Sequence, residues 1–132
     1  MRLTRLVTAM AACGLVLLIA LAPSSAFSAT AAGSRELPRR EMNDEVFVND
    51  QGWLIFRGDV DPGWAHKRVQ IYKRLCKGCA WKLVRQPMTD GAGRWRTRIY
   101  APRTGYWYWK GVVPKSGDYS RSFTQVYRTY VT

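Results

Sequence analysis

Hydrophobic and polar residues alternate with a period of two along most of the chain, in short runs punctuated by Gly, Pro, Asn and Asp. That period sends successive side chains to opposite faces, so each run predicts a half-buried β-strand. Val46-Phe-Val48 is a first short run, closed by Asn49-Asp-Gln-Gly52. Trp53 to Val60 sets Leu54, Phe56, Gly58 and Val60 on one face and ends at Asp61-Pro-Gly63. Lys67 to Leu75 puts Val69 and Ile71 together, and Ala80 to Gln86 leads into the turn Thr89-Asp-Gly-Ala-Gly93. Arg94 to Ala101 separates Trp95, Thr97, Ile99 and Ala101 from Arg94, Arg96, Arg98 and Tyr100. Gly105 to Val113 is strongly aromatic, and Ser120 to Val131 is the last run. Seven such runs, with turns every 8–12 residues or so, predict an all-β sandwich. No window sustains helical spacing.

The start of the chain departs from this pattern. Arg2 and Arg5 precede an apolar run from Leu6 to Ala22, then Pro23, serines and alanines. A basic start, an apolar middle and a small-residue exit predict a bacterial secretory signal peptide over residues 1–31, cut between Ala26 and Ala31. The run is barely long enough for a membrane anchor, which needs roughly 20 apolar residues. Cys13 sits too early in the run to be a lipidation site. Residues 32–45 are charged and aperiodic, and predict a flexible lead-in. The folded domain is expected over 46–132, secreted or attached to the cell wall, with no stable membrane insertion after cleavage.

Several strings in that domain resemble the immunoglobulin-like or transthyretin-like modules common in secreted actinobacterial proteins. They are Phe56-Arg-Gly-Asp-Val60-Asp-Pro-Gly, Lys67-Arg-Val-Gln-Ile-Tyr-Lys-Arg, Trp81-Lys-Leu-Val, Thr89-Asp-Gly-Ala-Gly-Arg-Trp95 and Tyr108-Trp-Lys-Gly-Val-Val-Pro. The likeness covers most of residues 52–125 and departs at Trp109-Lys-Gly111 and at Cys76 and Cys79. It implies an immunoglobulin-like Greek-key sandwich of about seven strands, used for adhesion, spacing or accessory binding, and it brings no catalytic residues.

Charge sharpens the expectation about partners. The chain has 21 basic and 9 acidic residues, and loss of Arg2 and Arg5 with the signal lowers its net charge from +12 to +10. Such an excess attracts polyanions, which outside a bacterial cell means teichoic acid, anionic lipid or polysaccharide, and, non-specifically, nucleic acid. Arg94, Arg96 and Arg98 form a basic ladder on one strand face, ~6.6 Å apart. Arg68, Arg74 and Lys82 on neighbouring strands are expected to widen it.

Cys76-Lys-Gly-Cys79 is the only cysteine pair of the exported part. Oxidation outside the cytoplasm predicts a disulfide pinching a tight hairpin, with Gly78 supplying a positive φ. A redox Cys-x-x-Cys site would want a helix N-terminus, and zinc would want four ligands where one His66 is on offer. No metal or cofactor is expected.

Alternation divides Tyr106-Trp-Tyr-Trp109, with Trp107 and Trp109 inside and Tyr106 and Tyr108 outside, where they could stack on sugars. Trp53 and Trp64, beside turns, are further candidates for exposure. Asp59, Asp61 and Asp90 are expected to shape turns. The domain is therefore expected to be non-catalytic and to associate with an anionic envelope polymer through its basic strand. The alternative is a carbohydrate- or protein-binding module using its aromatics, and behind both stands a basic nuclease using His66.

Overall fold

A computed structural model describes residues 35–132, which belong to one unit with a core of its own. The expected signal peptide with its expected cleavage site, and Cys13, lie outside the described residues. The strands are β1 (Glu41–Val48), β2 (Leu54–Asp61), β3 (Gln70–Arg74), β4 (Lys82–Arg85), β5 (Arg94–Arg98), β6 (Trp107–Val113), β7 (Ser122–Phe123) and β8 (Tyr127–Thr129). They form two antiparallel sheets. One has the order β1-β2-β5; the other has the order β4-β3-β6-β7, with β8 also paired to β6.

The inward faces meet in one core of Phe56, Val60, Trp64, Val69, Ile71, Trp95, Ile99, Trp109 and Val113. Phe56 and Trp95 come from one sheet, Ile71 and Trp109 from the other, so the layers share a hydrophobic interior as in a β-sandwich. Phe56 sits edge-on to Trp95 at 4.8 Å and to Tyr127 at 5.2 Å. Trp109 Nε1 donates to Thr129 Oγ1 (3.0 Å), whose hydroxyl donates to the Tyr100 carbonyl (2.8 Å). Burying an indole this way leaves its one donor satisfied.

Three departures from the sequence pattern have local causes. β1 begins at Glu41, inside the stretch 32–45 expected to be a flexible lead-in, so the folded unit starts earlier than Val46. Arg40 is already fixed: its N–H donates to Ser122 Oγ, its Nε to the Pro62 carbonyl, and its guanidinium lies over the rings of Trp64 and Tyr119. The alternation of β1 is hidden because Asp44 occupies an inward position between Met42 and Val46. Burial raises the Asp44 carboxyl above its ordinary range, against the opposing effects of the Tyr127 hydroxyl and a hydrogen bond to the Gln125 backbone.

The run from Ser120 to Val131 breaks into β7 and β8 at Thr124. There the threonine hydroxyl replaces a backbone group as acceptor for Gly111 N–H (2.7 Å). The disulfide Cys76–Cys79 forms as expected, across a turn closed by Cys79 N–H to the Cys76 carbonyl at 3.2 Å. Gly78, however, is not among the glycines with positive φ. A four-residue turn closed by that bond can stay in right-handed conformations, so no left-handed residue is needed.

Candidate functional site

The arginine ladder exists, with Arg94, Arg96 and Arg98 all on the outer face of β5, but its surroundings are not basic. Arg94 pairs with Asp90 (Nε to Oδ2, 3.1 Å) and lies opposite Asp59 on β2. Arg96 lies opposite Arg57, whose guanidinium is held by Glu45 at 2.5 Å. Arg98 lies over Trp53 at 4.0 Å and Tyr100 at 5.2 Å. Asp90 also accepts the Ala92 and Arg94 amides at 2.9 Å each, and these bonds, the Arg94 amide first, hold its carboxyl below the ordinary range. It shapes the turn, as expected. Asp59 instead sits within β2 and accepts from Asn43. A groove of about 800 Å³ over this face is lined by both signs of charge, with Arg57, Arg94 and Arg96 beside Glu45, Asp59 and Asp90.

The residues expected to widen the ladder lie elsewhere. Arg74 and Lys82 belong to β3 and β4, in the opposite sheet, and Arg68 precedes β3, where its guanidinium donates to the Gln86 carbonyl at 3.1 Å. The run from Lys67 to Arg85 is contiguous in sequence, but its strands β3 and β4 pair with each other, and β3 pairs on its other side with β6 and not with β5.

A different surface assembles on the outer face of the five-stranded sheet. Ile71, Trp109 and Val113 point inward, so Tyr72, Arg74, Tyr108 and Lys110 point outward. Register puts Tyr108 between Arg74 on β3 and Arg128 on β8. In the next row Lys110 stands opposite Tyr72. Trp81, from the loop before β4, covers both rows, with the Arg74 guanidinium 4.5 Å and the Lys110 ammonium 4.4 Å from its ring. Phe123 has Lys110 at 5.6 Å and Arg121 at 5.4 Å.

Acidic side chains are missing from all five strands of this sheet. The ion pairs among the described residues are Arg39–Glu36, Arg57–Glu45 and Arg94–Asp90, and none of them involves this sheet. Burial, then the charges of Arg121 and Arg74, lower the Lys110 pKa. The Arg74 Nε is buried without a hydrogen-bond partner. Cations crowded together without counter-charges would gain from a bound anion. Guanidiniums lying on aromatic rings keep their N–H edges free to receive its oxygens.

Two sequence candidates proposed for different ligands, Arg74 and Tyr108, thus meet at 5.0 Å. Tyr108 is half-buried there, and Tyr106 is exposed beside Arg128 (4.4 Å). Trp81, Lys110, Phe123 and Arg128 were not singled out from the sequence. The signal that would have found them is the distribution of acids: seven of the nine lie between Glu36 and Asp61, leaving only Asp90 and Asp118 beyond.

Trp109 is buried and Trp107 half-buried against the core, with Lys73 3.9 Å over its ring. Trp53 is 41% exposed, but Trp64 is only 6% exposed, because its ring packs into the core and its Nε1 donates to the Arg68 carbonyl. His66 is exposed in the β2–β3 connection. No three His, Cys, Asp or Glu residues gather as a metal set among the described residues, and no helix there is long and apolar enough to cross a membrane. Comparison of the chain with protein-family models, curated proteins and solved structures finds no match.

Proposed function

We propose that this chain is an exported, non-catalytic sandwich module that holds an anionic envelope polymer on the outer face of its five-stranded sheet. The observation that carries this is the acid-free array of Arg74, Lys110 and Arg128 interleaved with Tyr72, Trp81 and Tyr108. The ligand that fits is a flexible chain of phosphate, sulfate or carboxylate groups. The basic rows contact its anions, and the rings supply apolar surface between them. Nucleic acid would be held by the same contacts without sequence preference.

An immunoglobulin-like Greek-key arrangement is supported by the strand order, because the chain crosses between sheets after β2, β4 and β5. Export is supported by the N-terminal sequence pattern and by the Cys76–Cys79 disulfide, which suits an oxidising compartment.

Retention of residues 35–132 on a heparin column, with elution at moderate salt, tests the reading. Changing both Arg74 and Arg128 to alanine should bring elution to markedly lower salt. Retention on glycan that ignores salt would instead favour a sugar-stacking module, and elution unchanged by the double substitution would reject this face.

A further inference from the structure

One end of the sandwich carries a second, chemically different surface. Strand register brings together the β1–β2 turn, the β3–β4 loop, the β5–β6 connection and the residues after β8. Val48 pairs with Leu54, Ile55 with Arg98, Arg74 with Tyr108 and Trp107 with Thr129, so all four connections leave the sheets at the same end. Trp53, Leu75, Tyr100, Tyr106, Tyr130 and Val131 are all exposed there, Val131 to 65%. Tyr106 and Tyr130 meet edge-on at 5.6 Å, and Arg128 lies over both rings at 4.4 and 6.0 Å. Arg98 lies over Trp53 and Tyr100, and Arg85 donates to the Tyr100 hydroxyl at 3.5 Å. Asp50 is the one acid in these connections, against Lys77 and Arg103.

The opposite end is built otherwise. Its tryptophan, Trp64, is packed into the core, and its connections mix Asp90 and Asp118 with Lys67, Arg68, Lys115 and Arg121, so what sets it apart is the lack of exposed aromatic rings and not its charge. Exposed aliphatic side chains gain nothing from a dissolved polyanion. Exposed Trp and Tyr side chains with arginines on their rings, and exposed Leu and Val in the same connections, offer the three kinds of group that a bilayer surface takes up. Aromatic residues favour headgroup depth, cations meet anionic lipid, and aliphatic tips reach the acyl boundary.

We propose that this end docks peripherally on an anionic lipid bilayer, with Trp53, Tyr106 and Tyr130 at headgroup depth and Leu75 and Val131 below them. The contact is a surface one and spans nothing. It rests on the loop end and shares only Arg128 with the sheet face of the preceding proposal; the substitutions that test it leave Arg128 in place, so each reading can fail without the other.

Co-sedimentation of residues 35–132 with phosphatidylglycerol vesicles, and separately with phosphatidylcholine vesicles, tests it. The protein should bind the first and not the second. Joint substitution W53S, L75S and Y130S should reduce vesicle binding at least about tenfold. Elution from heparin should be unchanged. V131S, at a position 65% exposed, offers a second variant that leaves the core and the net charge untouched, and it should weaken vesicle binding alone. Equal loss of heparin and vesicle binding, vesicle binding unaffected by either variant, or no binding to anionic vesicles would each overturn the proposal.

Discussion

The two outer faces of the sandwich carry comparable numbers of cations and differ in what surrounds them. On the three-stranded sheet the arginines of β2 and β5 stand among Glu45, Asp59 and Asp90, and two of them, Arg57 and Arg94, are held in ion pairs. On the five-stranded sheet Arg74, Lys110 and Arg128 have tyrosines, a tryptophan and one another as neighbours. Exposed pairs such as Arg57–Glu45 add only ~0–1 kcal/mol to stability. They do cancel the local field, and a cancelled field attracts no polyanion. Excess charge therefore matters where it lacks counter-charges, and counting arginines on a strand does not reveal that.

Both faces are backed by one core, and the largest expected effect comes from breaking that core. Phe56→Ala should cost about 3–5 kcal/mol, read as a lower urea midpoint. Both sheets should lose their structure in a single transition by circular dichroism. Gly93→Ala comes next. Gly93 has φ +77°, and a Cβ there would stand 2.5 Å from the Val60 carbonyl oxygen. Destabilisation of about 1–3 kcal/mol should follow, with the turn before β5 disturbed first.

The faces themselves are separated by charge substitutions. Removing Arg74 and Arg128 together should lower the slope of log affinity against log salt by about 1.4–1.8 if each contacts one phosphate-like group. Replacing Arg94 and Arg96 should change it far less. Conversely, Glu45→Gln with Asp90→Asn strips counter-charges from the three-stranded face, and retention on heparin should rise.

The smallest effect concerns the buried edge of β1. The folded-state pKa of Asp44 is raised, so the ionised carboxylate opposes folding at neutral pH. That opposition fades as pH falls through the folded value towards the unfolded one. Asp44→Asn should therefore stabilise the protein at pH 7 and make no difference at strongly acid pH, as read from urea midpoints.

Much of the fold was legible because β-strands write their burial at period two. Phe56 and Val60, Val69 and Ile71, and Trp95 and Ile99 were paired correctly from spacing alone, and all are buried. The division of Trp109 from Tyr108 followed from the same rule. Of β1 only the end, Val46 to Val48, was legible; its first five residues were not, because an aspartate stands at one of their inward positions. The break at Thr124 was missed because a side-chain hydroxyl there does the work of a backbone carbonyl.

The site was harder to read for a topological reason. Alternation says which residues share a face of one strand, but not which strands lie side by side. Arg74 and Lys82 were grouped with β5, whereas β3 pairs with β6 and brings Arg74 to Tyr108 instead. Neighbours across a sheet come from distant parts of the chain, and their charges can be summed only once the pairing is known.

The most direct test is a titration of the ¹⁵N-labelled domain with a short, soluble polyphosphate, followed amide by amide. Shifts concentrated at Tyr72, Arg74, Tyr108, Lys110 and Arg128, and suppressed by salt, are the predicted result. Shifts concentrated instead at Arg57, Arg94 and Arg96, with the five-stranded sheet silent, would contradict the account.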